Sequence, residues 1–153
     1  TKYRLNRTFG LRPRDEKGLI GIIFMPLLHA NAALASANTY PLVALGALMG
    51  VSGEHNLAAA TGIVVLAGGS AVWQFARNAL HVGASGLIFG WFGYLLARAW
   101  VDANFHSFAI AMAVAFSYGT LVWGMLPRAG RVSWEAHLFG ASAGAGAAYV
   151  LHI

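Results

Sequence analysis

Five runs of about 18 to 22 mostly apolar residues follow one another along this chain, separated by short connections. Each run is close to the ~20 residues that a helix needs to cross roughly 30 Å of hydrocarbon. The chain is 58% apolar and only 10% charged, whereas about 25% of the residues of a soluble domain are charged. We therefore predict an all-α fold, a polytopic membrane helical bundle with five transmembrane helices. The predicted spans are approximately 30–51, 57–75, 84–101, 105–126 and 134–153.

The first 29 residues differ from the rest of the chain, so the sequence predicts a basic arm with an interfacial loop over 1–29 and a transmembrane domain over 30–153. The net charge of +5 is concentrated in the arm, at Lys2, Arg4, Arg7, Arg12, Arg14 and Lys17. Such a cluster suits anionic headgroups, so membrane lipids are expected partners. Nucleic acid is not expected, because no nucleic-acid motif accompanies the charge.

The sequence predicts neither a metal site nor a disulfide. Cysteine is absent, which excludes disulfides and thiolate ligands. The dipeptide Glu54-His55 stands alone and lacks the His-Glu-x-x-His spacing of a zinc site. We therefore expect no metal and no other cofactor. Glu54, Asp102 and Glu135 fall in or next to the predicted loops, where we expect solvated side chains.

The tetrapeptide Gly83-Ala84-Ser85-Gly86 opens the third apolar run. Its glycines allow a tight turn, and the helix that follows offers unpaired N–H groups to an oxyanion. Polar groups within a membrane are costly and are usually kept for function, which makes Ser85 a candidate nucleophile. Two other interpretations remain open: a loop of small residues, or Ser85 as the N-cap of its helix.

His137 opens the fifth run, and Gly140 and Gly144 follow it on or near the same helical face. The third run has glycines at the same kind of spacing, namely Gly86, Gly90 and Gly93. Two glycine-lined helices can pack backbone to backbone. Such packing would bring Ser85 within hydrogen-bond reach of His137, as a nucleophile and its base require. A plain packing seam is the alternative, and it is compatible with a dyad.

These motifs, in this order, resemble those of rhomboid intramembrane serine proteases. Residues 81–96, His-Val-Gly-Ala-Ser-Gly-Leu-Ile-Phe-Gly-Trp-Phe-Gly-Tyr-Leu-Leu, resemble the catalytic serine helix of the family. Residues 136–144 resemble its Ala-His-x-x-Gly-x-x-x-Gly histidine helix, and residues 26–39 resemble its second helix. The resemblance covers nearly the whole chain and implies a rhomboid-like transmembrane catalytic domain over 30–153.

The resemblance implies a serine endopeptidase that cleaves transmembrane segments of membrane proteins by a Ser-His dyad. Ser85 would be the nucleophile and His137 the general base. Asn38, Gly83 and the backbone N–H of Ser85 would form the oxyanion and substrate-binding site. Phe89, one turn after Ser85, would pack on the imidazole, and ordinary core packing is an equally good interpretation. Close helix packing around the dyad is expected of Gly86, Phe89, Gly140 and Gly144.

Two departures from the family pattern affect this interpretation. The family has six core helices, so we expect its first helix to precede Thr1. A histidine that commonly stands four residues before the asparagine is Leu34 here. His29 lies nine residues before Asn38, about two and a half helical turns away, and cannot substitute for it. The alternative function is therefore a non-catalytic rhomboid-like protein that binds client transmembrane helices.

The orientation in the membrane is where two signals conflict. Nine of the ten basic residues fall on the side of the predicted active site, and the positive-inside rule would place that side in the cytoplasm. The resemblance implies the opposite side, and we follow it. We predict a multi-pass protein of a bacterial-type inner or plasma membrane with an extracytoplasmic active site. A small channel or transporter is less favoured, because the spans hold few ionisable residues.

Overall fold

The computed structural model describes residues 2–51, 53–130 and 132–152, and these ranges are helical apart from turns and one isolated antiparallel bridge between Leu11 and His81. Thr1, Ser52, Arg131 and Ile153 lie outside the described residues, and with them the outer ends of the predicted segments 1–29 and 30–153. The α-helices of the described ranges are α1 (Lys2–Phe9), α2 (Gly21–Phe24), α3 (Ala32–Val51), α4 (Glu54–Ile63), α5 (Gly69–Phe75), α6 (Ser85–Val101), α7 (Phe105–Tyr118) and α8 (Trp134–Val150). Shorter 3-10 turns occupy Glu16–Gly18, Met25–Leu27 and Gly119–Met125, and a π-helical segment, Val64–Gly68, joins α4 to α5.

Each of the five predicted spans coincides with a helix or a pair of joined helices, so the all-α prediction is confirmed. Within the described residues, three stretches are long and apolar enough to cross a membrane: Ala32–Val51, Asn56–Phe75 and Phe105–Met125. The other two, α6 and α8, have 17 residues each, or about 25 Å at 1.5 Å per residue. The prediction of five transmembrane helices is therefore supported for three of them.

The centre of the bundle is α6, which packs most extensively against α8 and also contacts α3, α4 and α7. Its buried residues run through most of its length: Gly86, Ile88, Phe89, Gly90, Trp91, Phe92, Tyr94 and Leu95. Large apolar side chains instead cover the outside of the molecule; Phe116 is 94% exposed and Trp100 82%. Large apolar side chains exposed in such number are typical of a protein that faces lipid.

The basic arm folds back onto the bundle near the loop that leads into α6. Leu11 is fully buried, and it exchanges backbone hydrogen bonds with His81 at 3.0 and 2.9 Å. Arg14 Nη1 donates to the carbonyl oxygens of Gln74 at 3.0 Å and Ala76 at 2.8 Å. Carbonyls at a helix C-terminus have no partner within the helix and favour a cation, so Arg14 caps the end of α5. The arm is thereby fixed beside the 76–84 loop.

At the end of α6 opposite Ser85, Asp102 forms a polar cluster that joins three helices. Its carboxylate accepts from Ser107 Oγ at 2.6 Å and from Arg98 Nε at 2.6 Å, and it lies 3.1 Å from His152 Nδ1. Burial alone would raise the pKa of Asp102, but the hydrogen bonds from Ser107 and Arg98 and the charge of Arg98 together hold that pKa below its usual value. The prediction of a solvated side chain is therefore wrong for Asp102, because Arg98, Ser107 and His152 surround its carboxylate and leave the side chain 8% exposed. The side chain of Glu54 lies outside the described residues.

Candidate active site

Gly83 forms the turn that delivers Ser85 to the start of α6. Its φ of +130° lies in a region that residues with a Cβ rarely adopt, which explains the glycine. Its N–H donates to the carbonyl oxygen of Met25 at 2.9 Å and so anchors the turn. Ala84 is the N-cap of α6, without a side-chain capping bond, and Ser85 is the first helical residue. The interpretation of Ser85 as an N-cap is therefore wrong, and the contact that its hydroxyl makes is with α8.

His137 lies in the first turn of α8, and its imidazole is hydrogen-bonded at both nitrogens. Nε2 is 3.0 Å from Ser85 Oγ, and Nδ1 is 2.9 Å from the carbonyl oxygen of Gly124. Because a carbonyl can only accept, the neutral ring carries its proton on Nδ1 and leaves Nε2 free to accept the hydroxyl proton of Ser85. This is the geometry of a general base and its nucleophile. A backbone carbonyl orients the His137 ring, in the position where a soluble serine protease uses a carboxylate.

Phe89 packs on one face of the His137 ring, and Gly124 bonds the Nδ1 edge of that ring. The rings of Phe89 and His137 stack with centroids 4.1 Å apart and an interplanar angle of 4°. A Cβ at residue 124 would lie 2.8 Å from Phe89 Cζ and 3.3 Å from His137 Nδ1. The site therefore needs glycine at this position. Gly124 could not be predicted from the sequence, because neither a backbone carbonyl nor a close approach leaves a recognisable motif.

Replacing Gly124 with alanine is expected to lower the catalytic efficiency of the protein toward a cleavable substrate by about tenfold, or about 1.4 kcal/mol. The added methyl would displace the far edge of Phe89 and tilt the imidazole, and overpacking of this kind costs about 1–3 kcal/mol. The matched control is Gly119→Ala in the same 3-10 turn, where a Cβ would meet nothing within 4 Å. Steady-state kinetics of the two variants provide the check, and equal efficiencies would show that the ring is not confined in this way.

The seam between α6 and α8 is built from glycines, as the sequence predicts. A Cβ on Gly140 would overlap the carbonyl oxygen of Gly86, and one on Gly144 would overlap that of Gly90. A Cβ on Gly86 would in turn lie 3.3 Å from the carbonyl oxygen of Ala136. The two backbones are therefore in direct contact, as in helix pairs that associate through small residues. This contact brings the first turns of α6 and α8 together.

Asn38 lies beside Ser85 with an unused donor. Asn38 is 7% exposed, and its Nδ2 has no hydrogen-bond partner among the described residues. A Cβ on Gly83 would lie 3.8 Å from both Asn38 Nδ2 and Ser85 Oγ, and 3.6 Å from Leu34 Cδ2. A buried donor without a partner is costly in a folded protein, so this one is available for a ligand oxygen. Leu34, in the place of the usual histidine, faces the same space.

These groups line a cavity of about 1000 Å³ that extends from the dyad to polar residues of the arm and the neighbouring loops. The cavity is lined by Ser85, His137 and Asn38, and also by Arg7 and Arg128. No aspartate or glutamate is among the described residues that line it. Within the ranges 2–51, 53–130 and 132–152, no group of three or more His, Cys, Asp or Glu residues is placed to hold a metal ion.

Glu135 lies two residues before His137 and is buried, so the prediction of a solvated side chain is wrong here as well. Its Oε1 is 3.3 Å from Nε of Arg77, and its residue exposure is 3%. Glu135 Oε2 has no hydrogen-bond partner among the described residues. The pair joins the 76–84 loop to the first turn of α8. The Arg77 charge also offsets the cost of burying the Glu135 carboxylate, which would be high without a partner.

Comparison with known proteins yields one family and several relatives. A family model described as the Rhomboid domain matches residues 16–153. Uncharacterised proteins of Mycobacterium bovis and Mycobacterium tuberculosis are each 42% identical over 151 residues, covering 93% of this chain and 63% of the relative. An uncharacterised protein of Mycobacterium leprae is 38% identical over 166 residues, covering 99% of this chain and 63% of the relative. The chain thus spans 63% of the length of these curated relatives. No solved structure matches the chain.

Proposed function

This chain belongs to the rhomboid family, and on that premise we propose that it is an intramembrane serine endopeptidase that cleaves transmembrane segments of other membrane proteins. The observation that carries the proposal is the 3.0 Å distance between His137 Nε2 and Ser85 Oγ. The bond from Nδ1 to Gly124 supports it, because it leaves Nε2 unprotonated and ready to accept the serine proton.

In the first step, Ser85 Oγ attacks the carbonyl carbon of the scissile peptide bond while its proton passes to His137 Nε2. The imidazolium keeps its Nδ1–H on the Gly124 carbonyl, which stabilises the new charge. Collapse of the tetrahedral intermediate breaks the C–N bond, and Nε2 returns the proton to the leaving amine. Water then attacks the acyl-enzyme and gives a proton to Nε2, and the release of the acid restores Ser85.

The oxyanion of each tetrahedral intermediate would lie beside Gly83 and Asn38. Asn38 Nδ2 offers one donor that is already freed of other partners. The N-terminus of α6 offers backbone N–H groups that have no acceptor within the helix, together with the positive end of its dipole. Donors arranged before the reaction stabilise charge that develops only in the transition state.

Five crossings of the membrane fit this function best. The three long apolar stretches would cross completely, and the shorter α6 and α8 would cross among them with their first turns at one end of the bundle. We propose that this end opens to the extracytoplasmic side and that water reaches Ser85 through the cavity. Substrate helices must unwind there to expose a peptide bond, so helix-breaking or small residues are expected near the cleaved bond.

Replacing Asn38 with alanine is expected to lower kcat roughly 10²-fold with little change in KM, because the lost donor acts only on the transition-state charge. The loss should be large in this protein since Leu34 supplies no second donor. Thr39→Ala is the matched control, because Thr39 is exposed on the same helix and its hydroxyl donates to the carbonyl oxygen of Ala35 in the preceding turn. Single-turnover cleavage measures the effect, and an Asn38→Ala variant as fast as Thr39→Ala would remove Asn38 from the oxyanion site.

The competing function is a non-catalytic protein that holds client transmembrane helices, and Leu34 is the observation that favours it. The test is the full-length protein in liposomes with a labelled transmembrane substrate, followed by gel analysis and crosslinking. The protease produces two fragments with repeated turnover. A binder retains the intact substrate in crosslinks and forms no fragments, and that result would overturn the proposal.

A further inference from the structure

A second serine–histidine hydrogen bond lies next to the dyad and takes no part in the mechanism above. His81 Nδ1 is 2.6 Å from Ser133 Oγ. His81 precedes Ser85 by four residues, and Ser133 precedes His137 by four. This bond therefore joins the loop that enters α6 to the residue at which α8 begins.

The partners of His81 define its protonation state. Nε2 lies 3.2 Å from the carbonyl oxygen of Arg77, so Nε2 carries the ring proton and Nδ1 accepts from the hydroxyl of Ser133. The side chain is buried, with the residue 3% exposed. Burial lowers the pKa of His81; the Arg77 carbonyl and the Glu135 carboxylate oppose this shift, and the Arg77 charge adds to it. At neutral pH, His81 is therefore a neutral ring with both nitrogens hydrogen-bonded.

Ser133 is the N-cap of α8, so its position determines where that helix starts. Its Oγ accepts from the backbone N–H of Ala136 at 3.3 Å, and its carbonyl oxygen accepts from the backbone N–H of His137 at 3.3 Å. The hydroxyl proton of Ser133 remains for His81. A movement of Ser133 would consequently move the first turn of α8, which carries the imidazole of the dyad.

Arg77 adds further contacts between the loop that precedes Ser85 and the segment that leads into α8. Its guanidinium donates to the carbonyl oxygens of Arg128 at 3.3 Å and Val132 at 2.5 Å, in addition to its ion pair with Glu135. The backbone of His81 is itself held by Leu11 of the arm. The loop before Ser85 is thus fixed on one side to the arm and on the other side to α8.

We propose that His81 is a positioning residue whose hydrogen bond to Ser133 sets the separation between Ser85 and His137. The proposal rests on the proposed function, because it assumes that the dyad is catalytic. The glycine contacts fix α6 and α8 to each other on the C-terminal side of the dyad. Both dyad residues lie in the first turns of their helices, before most of these contacts. Because a displacement of about 1 Å at a reacting pair can cost about 10²-fold in rate, a device that holds these first turns together has a direct effect on turnover.

The test compares His81→Leu, His81→Gln and Ser133→Ala in the full-length protein, with His106→Leu as the control at an exposed histidine of α7. We expect His81→Leu and Ser133→Ala each to lower kcat by about tenfold or more with KM within about twofold, as one lost buried hydrogen bond predicts. His81→Gln can both accept from Ser133 and donate to Arg77, and should recover most of kcat. The double variant His81→Leu/Ser133→Ala should lose less than the product of the two single losses, because both single variants remove the same His81–Ser133 hydrogen bond.

Thermal unfolding of each variant separates positioning from folding. If His81→Leu does not fold, the kcat values of Ser133→Ala and His81→Gln still test the proposal, because only the first of these variants should be slow. Wild-type kcat in both His81→Leu and Ser133→Ala, losses that add in the double variant, or a His81→Gln variant as slow as His81→Leu would each overturn the proposal. Activity in Ser85→Ala would instead overturn the proposed function, so the two failures are distinguishable.

Discussion

Replacement of Ser85 with alanine is expected to lower cleavage of a transmembrane substrate by about 10⁴-fold or more. The substitution removes the atom that forms the covalent bond, and soluble serine proteases that lose one triad member retain only the catalysis of their oxyanion hole and binding site. His137→Ala should have an effect of the same order, because without Nε2 the Ser85 proton has no acceptor. The double variant should be no slower than either single variant, since nucleophile and base act as one unit. Initial rates in proteoliposomes measure all three.

The matched control for the dyad is Ser70→Ala, an exposed serine on α5. Ser70→Ala should cleave as fast as the wild type, while substrate binding to Ser85→Ala should remain intact because the cavity is unchanged. Cleavage by Ser85→Ala and His137→Ala at the rate of Ser70→Ala would contradict the dyad.

Replacement of Gly144 with alanine is expected to destabilise the protein by about 3 kcal/mol or more, at the upper end of overpacking effects, and to reduce cleavage by well over 10²-fold. The added methyl would overlap the carbonyl oxygen of Gly90, which is backbone and cannot move aside as a side chain can. Relief requires α6 and α8 to separate by more than 1 Å, and this separation also displaces Ser85 from His137.

The control for Gly144→Ala lies two residues away in the same helix. A Cβ on Gly146 would meet nothing within 4 Å, so Gly146→Ala should keep full activity and gain slightly in helix propensity. Thermal unfolding in detergent and cleavage rates compare the two variants. Equal stability of Gly144→Ala and Gly146→Ala would contradict the backbone contact between α6 and α8.

The helices and the proximity of Ser85 to His137 could be predicted because their signals are local in sequence. Each apolar run is long enough to specify a helix by itself, and the observed helices begin and end within a few residues of the predicted ones. The glycines around Ser85 and after His137 predict close packing, and the structure contains the 3.0 Å contact that this packing allows. Membrane crossing was less predictable for α6 and α8, since a helix buried among others can be apolar without the full length of a span.

The features that sequence analysis did not predict depend on tertiary contacts. Gly124 contributes a backbone carbonyl, which any residue possesses, and its lack of a Cβ matters only beside Phe89. The burial of Asp102 and Glu135 depends on partners in other helices and loops. The role that we propose for His81 depends on its 2.6 Å contact with Ser133, whereas the shared four-residue offset from Ser85 and His137 is visible in the sequence.

The most direct test of the central claim is labelling of the full-length protein with a fluorophosphonate, which reacts with a serine only when a base has activated it. We predict a single adduct that peptide mass spectrometry locates on Ser85, absent in Ser85→Ala and strongly reduced in His137→Ala. Ser70→Ala should label as the wild type does. An adduct on another serine, or no adduct under conditions that label an active member of the family, would contradict the account.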